Sequence, residues 1–523
     1  MGTGGGGGPL RLAEFVAALS LATDLGTGQP LEHALRTCLL SVELARRSGV
    51  AADQLADVYY LALLRFVGCT ADAAETAAVA AGDDLAFNAR MAPVLMGSPA
   101  EQLRGLVSAT GAGGSPRHRA GALAAVLTDP KGAERSFSAH CEAAQLLASR
   151  LGVSDGVTAG LAHAYERWDG KGLPGRIAGE GVPAAVRVVI VARDADLWVR
   201  QAGVEEAVEV VRRRMARAYD PAVAAAFVDD ASGVLAAVAS EDAWQSALDA
   251  EPPPWVRIPD DRLDAALGAF GDFVDLKSPW LRGHSLAVAG LAAGAARAAG
   301  LDEADVVEVR RAGLVHDVGR IGVPNGVWDH RGALTTEGWE KARLHTYLTE
   351  RVLSRAKRLE PLARLAACHH ERADGSGYHR GARGPELSRL ERLLGAADVY
   401  AAMTEDRPHR PALSADDACA ELRREADGGR FAVEDVEAVI AAAGQVAQPV
   451  GARRPASLTA REVEVLRLIT RGQSNRQVAE ALAISPKTVG SHVEHIYAKT
   501  GVTTRAGAAL FAMEHGLLSQ KIG

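Results

Sequence analysis

The sequence predicts an all-α protein made of several packed helical bundles. Apolar residues recur with the 3.6-residue period of helices along most of the chain, and strand-like alternation is scarce. The β-branched run from Ala185 to Val191 lies in a helical context, so we expect it to be helix as well. At 523 residues the chain is too long for one hydrophobic core, which indicates about three globular units.

Three breaks divide the chain. A Gly-rich stretch from Gly111 to Arg119 interrupts the first helical region, a Pro-rich hinge runs from Glu251 to Pro259, and a polar linker runs from Gln445 to Pro455. The Gly-rich start lacks the features of a signal peptide. We therefore expect a disordered tail over 1–9, helical domains over 10–250 and 260–445, and a small C-terminal domain over 456–519.

An internal repeat links the two large helical domains. The segment ERWDGKG at Glu166 to Gly172 is matched by ERADGSG at Glu371 to Gly377. Upstream, LALLRFVGC at Leu61 to Cys69 is similar to AGLVHDVG at Ala312 to Gly319. Because such self-similarity marks a repeated structural unit, we expect two copies of one all-helical fold before the C-terminal domain.

Cysteine usage and hydropathy indicate a cytoplasmic protein. The five cysteines are scattered and form no CxxC pair, which argues against a disulfide framework or a cysteine-based zinc site and favours a reducing compartment. No apolar run approaches the roughly 20 residues of a transmembrane helix, so we expect no membrane partner.

Basic charge is concentrated at the C-terminus. The whole chain carries a net charge of −7, whereas the segment from Arg453 onward has ten Lys and Arg against five Asp and Glu. Capping patterns place three helix starts in this segment, at Thr459 with Glu462, at Ser474 with Gln477, and at Ser485 before Pro486. A basic three-helix segment of this kind is typical of a nucleic-acid-binding module.

The third of these helices, predicted from Pro486 to about Lys499, has two distinct faces. Val489, Val493 and Ile496 form an apolar stripe that we expect to be buried. The residues predicted to face the major groove or phosphates of double-stranded DNA are Lys487, Thr488, Ser491, His492, His495 and Lys499.

The stretch from Leu458 to Leu517, which begins LTAREVEVLRLITRGQSNRQ, resembles the LuxR-type helix-turn-helix family over the whole module. The resemblance implies a DNA-binding transcription regulator. It also implies a homodimer, because the segment after the recognition helix, here Thr504 to His515, commonly mediates dimerisation in that family. The open alternative is a helical protein-interaction domain.

The second repeat contains a set of potential metal ligands. His316-Asp317 lies on an apolar helix, and His369-His370-Glu371 precedes a Gly-rich turn. Imidazoles and carboxylates that point from several helices into one bundle core can hold two hard or borderline cations. Burial of His and Asp without partners is unfavourable by several kcal/mol, so metal binding or mutual pairing must explain them.

The region from about Leu263 to Ala443 resembles the HD-GYP branch of the HD phosphohydrolases. The resemblance implies hydrolysis of cyclic di-GMP with iron or manganese ions. It implies catalytic roles for Asp317 and Arg320, with metal ligands at His284, His316, Asp317, His345, His369, His370 and Asp398. It also implies substrate contacts from Arg320, Gly375, Gly377, Tyr378, Arg407 and Arg410.

Three positions depart from the HD-GYP pattern. Arg320 replaces a lysine, which keeps the charge but changes the geometry of a phosphate contact. His379 replaces the proline of the GYP triplet, and Trp280 stands where some members supply a glutamate to a third metal ion. We therefore expect two divalent ions, iron or manganese, and not three.

The first repeat lacks most of these residues. Arg65-Phe66 stands in place of the His-Asp pair, and Ala164-Tyr165 replaces the double histidine. His33 and His140 remain, but two ligands cannot hold a metal cluster. We expect this degenerate copy to be inactive as a hydrolase, which leaves a packing, dimerisation or ligand-sensing role open.

Three hypotheses follow for the whole chain. The first is a transcription regulator whose phosphodiesterase domain is coupled to DNA binding. The second is a non-enzymatic nucleotide or metal sensor, in which the helical domains only tune DNA affinity. The third is hydrolysis of another phosphate ester, since pocket shape is not readable from sequence.

Overall fold

The computed structural model describes residues 9–112, 114–128, 132–175, 177–446 and 455–518. The predicted Gly-rich tail, except Pro9, and most of the linker before Pro455 lie outside these residues. The chain divides into two compact units, residues 1–263 and residues 264–523. The expectation of an all-α protein is confirmed, because helices dominate both units. The domain limits predicted above remain predictions.

The first unit consists of helices and one small ribbon. Its strands β1 (Leu10–Arg11) and β2 (Arg257–Ile258) pair antiparallel, with Leu10 opposite Ile258. Its helices are α1 (Leu12–Gly26), α2 (His33–Arg47), α3 (Leu55–Leu64), α4 (Ala73–Val79), α5 (Asp84–Met91), α6 (Pro99–Ala109), α7 (Pro116–Thr128), α8 (Gly132–Leu151), α9 (Asp155–Ala162), α10 (Ala184–Ala202), α11 (Val204–Arg214), α12 (Pro221–Asp229), α13 (Ala231–Leu235) and α14 (Ala243–Asp249). The predicted helical state of Ala185 to Val191 is confirmed by α10.

The second unit begins within α15. Its first nine helices are α15 (Asp260–Asp275), α16 (His284–Ala298), α17 (Glu303–Val315), α18 (Asn325–Trp328), α19 (Thr336–Leu353), α20 (Glu360–Ala367), α21 (Arg389–Thr404), α22 (Ala415–Asp427) and α23 (Val433–Val446). Helices α16, α17, α21 and α23 pack against one another. Buried apolar side chains such as Phe270, Val288 and Val309 form the core of this bundle.

Four further helices complete the second unit: α24 (Ala460–Thr470), α25 (Asn475–Leu482), α26 (Pro486–Thr500) and α27 (Arg505–Glu514). The predicted helix starts are confirmed. Thr459 and Ser474 form capping boxes with Glu462 and Gln477, and the Ser485 side chain accepts a hydrogen bond from the Thr488 amide. Each cap satisfies backbone amides that have no partner within the helix, and so fixes where that helix begins.

Short 3₁₀ helices connect several elements: Ala52–Gln54, Gly179–Gly181, Ala236–Val238, Val318–Gly322, Gly384–Glu386 and Pro455–Ser457. Among the described residues, no single helix has the length and apolar character needed to cross a membrane. The pair Pro221–Asp229 and Ala231–Val238 meets those criteria only when both helices are taken together, and it bends by 90° between them.

Candidate metal centre

The predicted metal ligands of the second unit come from five helices and meet in its core. His284 is the first residue of α16, and His316-Asp317 directly follow α17. His345 lies within α19, His369-His370 follow α20, and Asp398 lies near the middle of α21. Six of the seven side chains are almost completely buried, and His370 is partly exposed. The structure thus brings together residues that are far apart in sequence.

Two glycines permit this convergence. Gly283 has a φ of 83°, a left-handed conformation that favours glycine, and it turns the chain directly into α16 at His284. A Cβ atom at Gly319 would lie 1.9 Å from the carbonyl oxygen of His345. Only glycine therefore allows the 3₁₀ helix Val318–Gly322 to pack against α19, which places His345 beside Asp317.

The donor atoms form three overlapping groups of three. Within each group, one donor atom from every residue lies within 4.8 Å of the others: His345 with His369 and His370, His284 with His316 and Asp398, and His316 with Asp317 and His369. Metal-bound nitrogen and oxygen atoms lie about 2.0–2.2 Å from their ion, so ligands of one ion must cluster closely. All seven predicted ligands occur in these groups.

Asp317 connects the two outer groups. Its Oδ1 lies 3.5 Å from His345 Nε2 and 3.4 Å from His369 Nε2. Its Oδ2 lies 3.1 Å from His316 Nε2 and 3.6 Å from His284 Nε2. One carboxylate therefore presents one oxygen to each side of the centre.

Unsatisfied polar atoms show that the donor set fits a metal ion. His316 Nε2 and both carboxylate oxygens of Asp317 are buried and have no hydrogen-bond partner of acceptable geometry. Buried polar groups without a partner are rare in proteins, and binding of an ion is one of their ordinary explanations. Imidazole and carboxylate donors suit iron, manganese and zinc.

Backbone hydrogen bonds orient the imidazoles. His316, His345 and His369 each donate from Nδ1 to the carbonyl oxygen three residues earlier, at 2.8, 2.5 and 2.6 Å. This arrangement leaves Nε2 free to face the centre, as outer-sphere partners do in metal sites. His284 differs, since its Nδ1 lies 3.0 Å from Glu405 Oε2.

The histidines of the centre differ in pKa because burial and neighbouring charges act on them to different degrees. Burial lowers the pKa of His345 to about 3 and lowers the pKa of His370, so both are neutral and can act as ligands. Burial also acts to lower the pKa of His316, but the carboxylates of Asp317 and Asp398 outweigh it and raise that pKa to about 10. The carboxylates of Asp317 and Asp398 therefore favour positive charge at the position of His316.

Comparisons with known proteins agree with this geometry. The HD domain family matches residues 269–432, which contain all seven donors, and the luxR family of bacterial regulatory proteins matches residues 456–512. The 3′3′-cGAMP-specific phosphodiesterase 3 of Vibrio cholerae is 31% identical over 415 residues, which cover 78% of this chain and 90% of that protein. The chain belongs to the HD-GYP phosphodiesterases.

Two further comparisons concern a relative that matches only part of the sequence and a solved structure with a similar fold. A cyclic di-GMP phosphodiesterase of Pseudomonas aeruginosa is 36% identical over 172 residues, or 32% of this chain and 40% of that protein. The crystal structure of a cyclic GMP-AMP specific phosphodiesterase of V. cholerae aligns with a TM-score of 0.59 and 26% identity, covering 84% of this chain and 99% of that one. The protein thus combines a domain of the metal-dependent HD phosphohydrolase family with a LuxR-type DNA-binding domain.

Arg320 of this HD-GYP phosphodiesterase is held at the edge of the centre. Its Nε lies 2.9 Å from Asp317 Oδ2, and its guanidinium carbon lies 5.0 Å from the centre of the Trp328 ring. The side chain is 9% exposed, so its positive charge sits beside the donor set in a largely dry environment. The catalytic role of Arg320 and its contact with substrate remain predictions.

The predicted substrate turn lies against the metal ligands. Gly375 has a φ of 82°, and a Cβ atom at Gly377 would lie 2.5 Å from the Cα of Glu371. Both glycines therefore shape the turn. Tyr378 stacks on His370, with 4.4 Å between ring centres and 28° between planes. His379, at the proline position of the triplet, makes a 3.0 Å hydrogen bond between its Nδ1 and the Thr346 hydroxyl.

Arg407 and Arg410, the two arginines after α21 that were predicted to contact substrate, make different contacts. Arg407 donates to Glu405 at 2.8 Å and to the carbonyl oxygen of Trp280 at 3.3 Å, so it lies in the wall of the centre. Arg410 donates to the carbonyl oxygens of Ala402, Met403 and Pro411 at 2.5, 3.1 and 3.2 Å. Arg410 therefore caps the end of α21, and its predicted contact with substrate remains untested.

Sequence reasoning missed Glu405. This carboxylate lies at the C-cap of α21 and accepts a hydrogen bond from His284, while Arg407 holds it on the other side. Burial acts to raise the pKa of Glu405, but His284 and Arg407 outweigh it and the pKa falls below its ordinary value. Its spacing of seven residues from Asp398, close to two helical turns, was the available signal.

Most residues of α26 that were predicted to face DNA lie on its exposed side. Val489 and Ile496 are buried as predicted, but Val493 is only half-buried, so the buried stripe is narrower than expected. Lys487, Thr488, Ser491 and His495 are exposed and His492 is partly so. Lys499 Nζ lies 2.7 Å from Glu462 Oε2 and 3.3 Å from the Ser457 carbonyl oxygen. Lys499 is therefore already engaged within the module, and its predicted phosphate contact remains a prediction.

Proposed function

We propose that this chain is a bacterial transcription regulator whose second unit hydrolyses a cyclic dinucleotide, either cyclic di-GMP or 3′3′-cGAMP. The observation that carries the proposal is the convergence of seven buried donors into overlapping groups connected by Asp317. The substrates named for the relatives, 3′3′-cGAMP for one and cyclic di-GMP for another, supply the substrate class.

Two divalent ions, iron or manganese, fit the donor set best. His345, His369 and His370 would hold one ion, and His284, His316 and Asp398 would hold the other, with Asp317 shared. Two ions in such a centre activate a water molecule and neutralise charge on the phosphoryl group. Arg320, fixed beside Asp317, adds a positive charge for the phosphate oxygens.

The LuxR-type domain supplies the regulatory half of the proposal. Exposed polar residues on α26 would contact double-stranded DNA, and α27 would contribute to a homodimer, as expected from the LuxR resemblance. A chromosomal DNA target is consistent with a cytoplasmic location. Hydrolysis of the dinucleotide would then change the ligand state of the same chain that binds DNA.

The first unit is proposed to be a degenerate copy of the second. Among the described residues, the groups of three potential metal donors are all located in the second unit. The positions that hold His316 and Asp317 there are occupied by Arg65 and Phe66 here. The first unit would therefore support the fold of the protein without hydrolysing substrate.

The test compares the intact protein with two single variants. After anaerobic loading with Mn²⁺ or Fe²⁺, the parent should linearise cyclic di-GMP or 3′3′-cGAMP. His316→Ala should lose bound metal and reduce turnover by about a thousandfold or more, because a shared donor is removed from both the outer and the central group. Metal content is measured by elemental analysis, and turnover by chromatography of the linear product.

His140→Ala is the matched control, since His140 belongs to the first unit and pairs with Asp72. It should leave both metal content and turnover within about twofold. A metal-loaded parent that binds the dinucleotide without cleaving it would instead support the non-enzymatic sensor. Cleavage of only another phosphate ester would support the third hypothesis.

A further inference from the structure

A cavity of about 590 Å³ opens beside the metal centre. Its lining includes His370 and otherwise consists of residues outside the seven predicted metal ligands, from α19, from the turn after His370, and Arg430. Its volume lies within the range of about 300–1,000 Å³ that is typical of sites for small organic ligands. The cavity therefore has room for more than the phosphate at the metal centre.

Three guanidinium groups line this cavity: Arg343, Arg372 and Arg430. Arg372 is held by its own backbone contacts, donating to the carbonyl oxygens of His369 and Glu371 at 3.1 and 2.9 Å, which carry no net charge. Arg343 pairs with Glu340, and Arg430 pairs with Glu425. The lining therefore has an excess of positive charge, which favours an anionic ligand.

A ligand phosphate can replace the carboxylate partners of Arg343 and Arg430. The side chains of Arg343 and Arg430 are 49% and 50% exposed. Ion pairs between exposed side chains contribute little to stability, so a phosphate can replace a carboxylate partner without disturbing the fold. Guanidinium groups are well suited to this exchange because they bind phosphate through two parallel hydrogen bonds.

Aromatic rings lie next to these charges. Trp339 is 45% exposed and precedes Arg343 by one helical turn, so both side chains lie on the same face of α19. The guanidinium carbon of Arg343 lies 5.9 Å from the centre of the Tyr378 ring. A large exposed indole beside a cationic cavity provides a surface on which a nucleobase can stack.

We infer that this cavity binds the second nucleotide of the substrate, with its base on Trp339 and its phosphate on Arg343 and Arg430. The inference rests on the proposed function and specifies how that site distinguishes its substrate. A cyclic dinucleotide has two phosphates and two bases, so it occupies the metal centre and the cavity together. A small phosphodiester occupies the metal centre alone.

The experiment compares two substrates in the metal-loaded full chain, cyclic di-GMP and bis(p-nitrophenyl) phosphate. Trp339→Ala and Arg343→Ala should each raise KM for the dinucleotide about tenfold, since each removes one stacking or phosphate contact. The kcat should stay within about twofold, and kcat/KM for the small diester should not change. Trp339→Phe, which keeps an aromatic face, should restore most of the affinity.

Tyr347→Ala is the matched control. Tyr347 lies on the same helix with a similar exposure of 42%, but it does not line the cavity, so its loss should leave both KM values unchanged. Unchanged KM values for Trp339→Ala and Arg343→Ala would overturn the inference. Equal losses on both substrates would also overturn it, because the residues would then act on the metal centre.

A binding measurement separates this inference from the proposed function. In the His316→Ala background, which should not turn over, cyclic di-GMP should quench tryptophan fluorescence, and the additional Trp339→Phe change should alter the quenching. If the parent hydrolyses bis(p-nitrophenyl) phosphate but no cyclic dinucleotide, the proposed substrate is wrong. The fluorescence titration then decides whether the cavity still binds the nucleotide, and no quenching would overturn the inference.

Discussion

The two units build the same local frame around different centres. His33 and His284 are the first residues of α2 and α16, and each follows a residue with positive φ. A buried aspartate accepts a hydrogen bond from the second amide of each helix, Asp24 from Ala34 and Asp275 from Ser285. The helices α2 and α16, which begin with His33 and His284, therefore start with the same local geometry in both units.

A close glycine contact is also shared. A Cβ atom at Gly68 would lie 2.0 Å from the carbonyl oxygen of His140, and one at Gly319 would lie 1.9 Å from that of His345. Only glycine fits at either position. In the first unit, α8 with His140 therefore packs against the turn after α3. In the second unit, α19 with His345 packs in the same way against the turn after α17. These repeated contacts support the predicted tandem arrangement.

The centres themselves differ in chemistry. Arg65 directly follows α3 as His316 follows α17, and Arg193 is the tenth residue of α10 as Asp398 is of α21. Arg65 is buried, and its guanidinium carbon lies 5.3 Å from the Tyr165 ring. Guanidinium groups thus stand where the second unit has two of its predicted metal donors.

Metal binding should distinguish the units most strongly. Adding Mn²⁺ to the metal-free full chain should slow amide hydrogen exchange in α16, α17 and α21 and leave α2, α3 and α10 unchanged. A ligand at a thousand times its Kd stabilises the binding state by about 4 kcal/mol, so the effect on exchange should be large. Hydrogen exchange is measured by mass spectrometry. Slowed exchange in the first unit would show that metal binding does not distinguish the two units.

Asp196 provides a second test, because it holds the first unit's centre with ion pairs. It contacts His33 and Arg36 at 2.8 Å and Arg200 at 2.9 Å. Asp196→Asn should lower the free energy of unfolding at pH 7 by about 3 kcal/mol, since the partly buried guanidinium groups of Arg36 and Arg200 lose their buried carboxylate partner. Asp53→Asn, at an exposed position, should have no effect.

The effect of Asp196→Asn should depend on pH. Burial acts to raise the pKa of Asp196, but His33, Arg200 and Arg36 outweigh it and lower the pKa to about 2 from its ordinary value of 3.8. The carboxylate therefore stabilises the fold fully above pH 3.8, and this contribution is lost as the pH falls through 2. Urea denaturation should give nearly the same difference at pH 7 and pH 4 and a smaller one at pH 3, and a difference that stays constant down to pH 3 would contradict this account.

The smallest expected effect is that of Arg65→Met. The Nε and Nη1 atoms of Arg65 are buried without hydrogen-bond partners, so an apolar side chain of similar length should change the stability by no more than about 1 kcal/mol. Arg214→Met should be destabilising by about 3 kcal/mol, because Arg214 is bound to Asp194 and Glu101 at 2.8 and 3.0 Å. A large loss of stability with Arg65→Met would contradict this account.

Local sequence signals determined much of the second unit and of the DNA-binding module. The capping boxes at Thr459 and Ser474 specified where helices begin, because a side chain and a backbone amide three residues apart decide this locally. The apolar period specified the buried face of α26. The family resemblance gave the set of seven predicted metal ligands.

Only the tertiary structure decided how those donors are used. Which oxygen of Asp317 faces which group, and that Glu405 supports His284, depend on how α16, α17, α19 and α21 pack. The same packing turned Arg410 toward backbone carbonyls and opened the cavity at Trp339. Contacts between residues far apart in the chain are set by helix packing, and a single sequence encodes that packing only through the whole core.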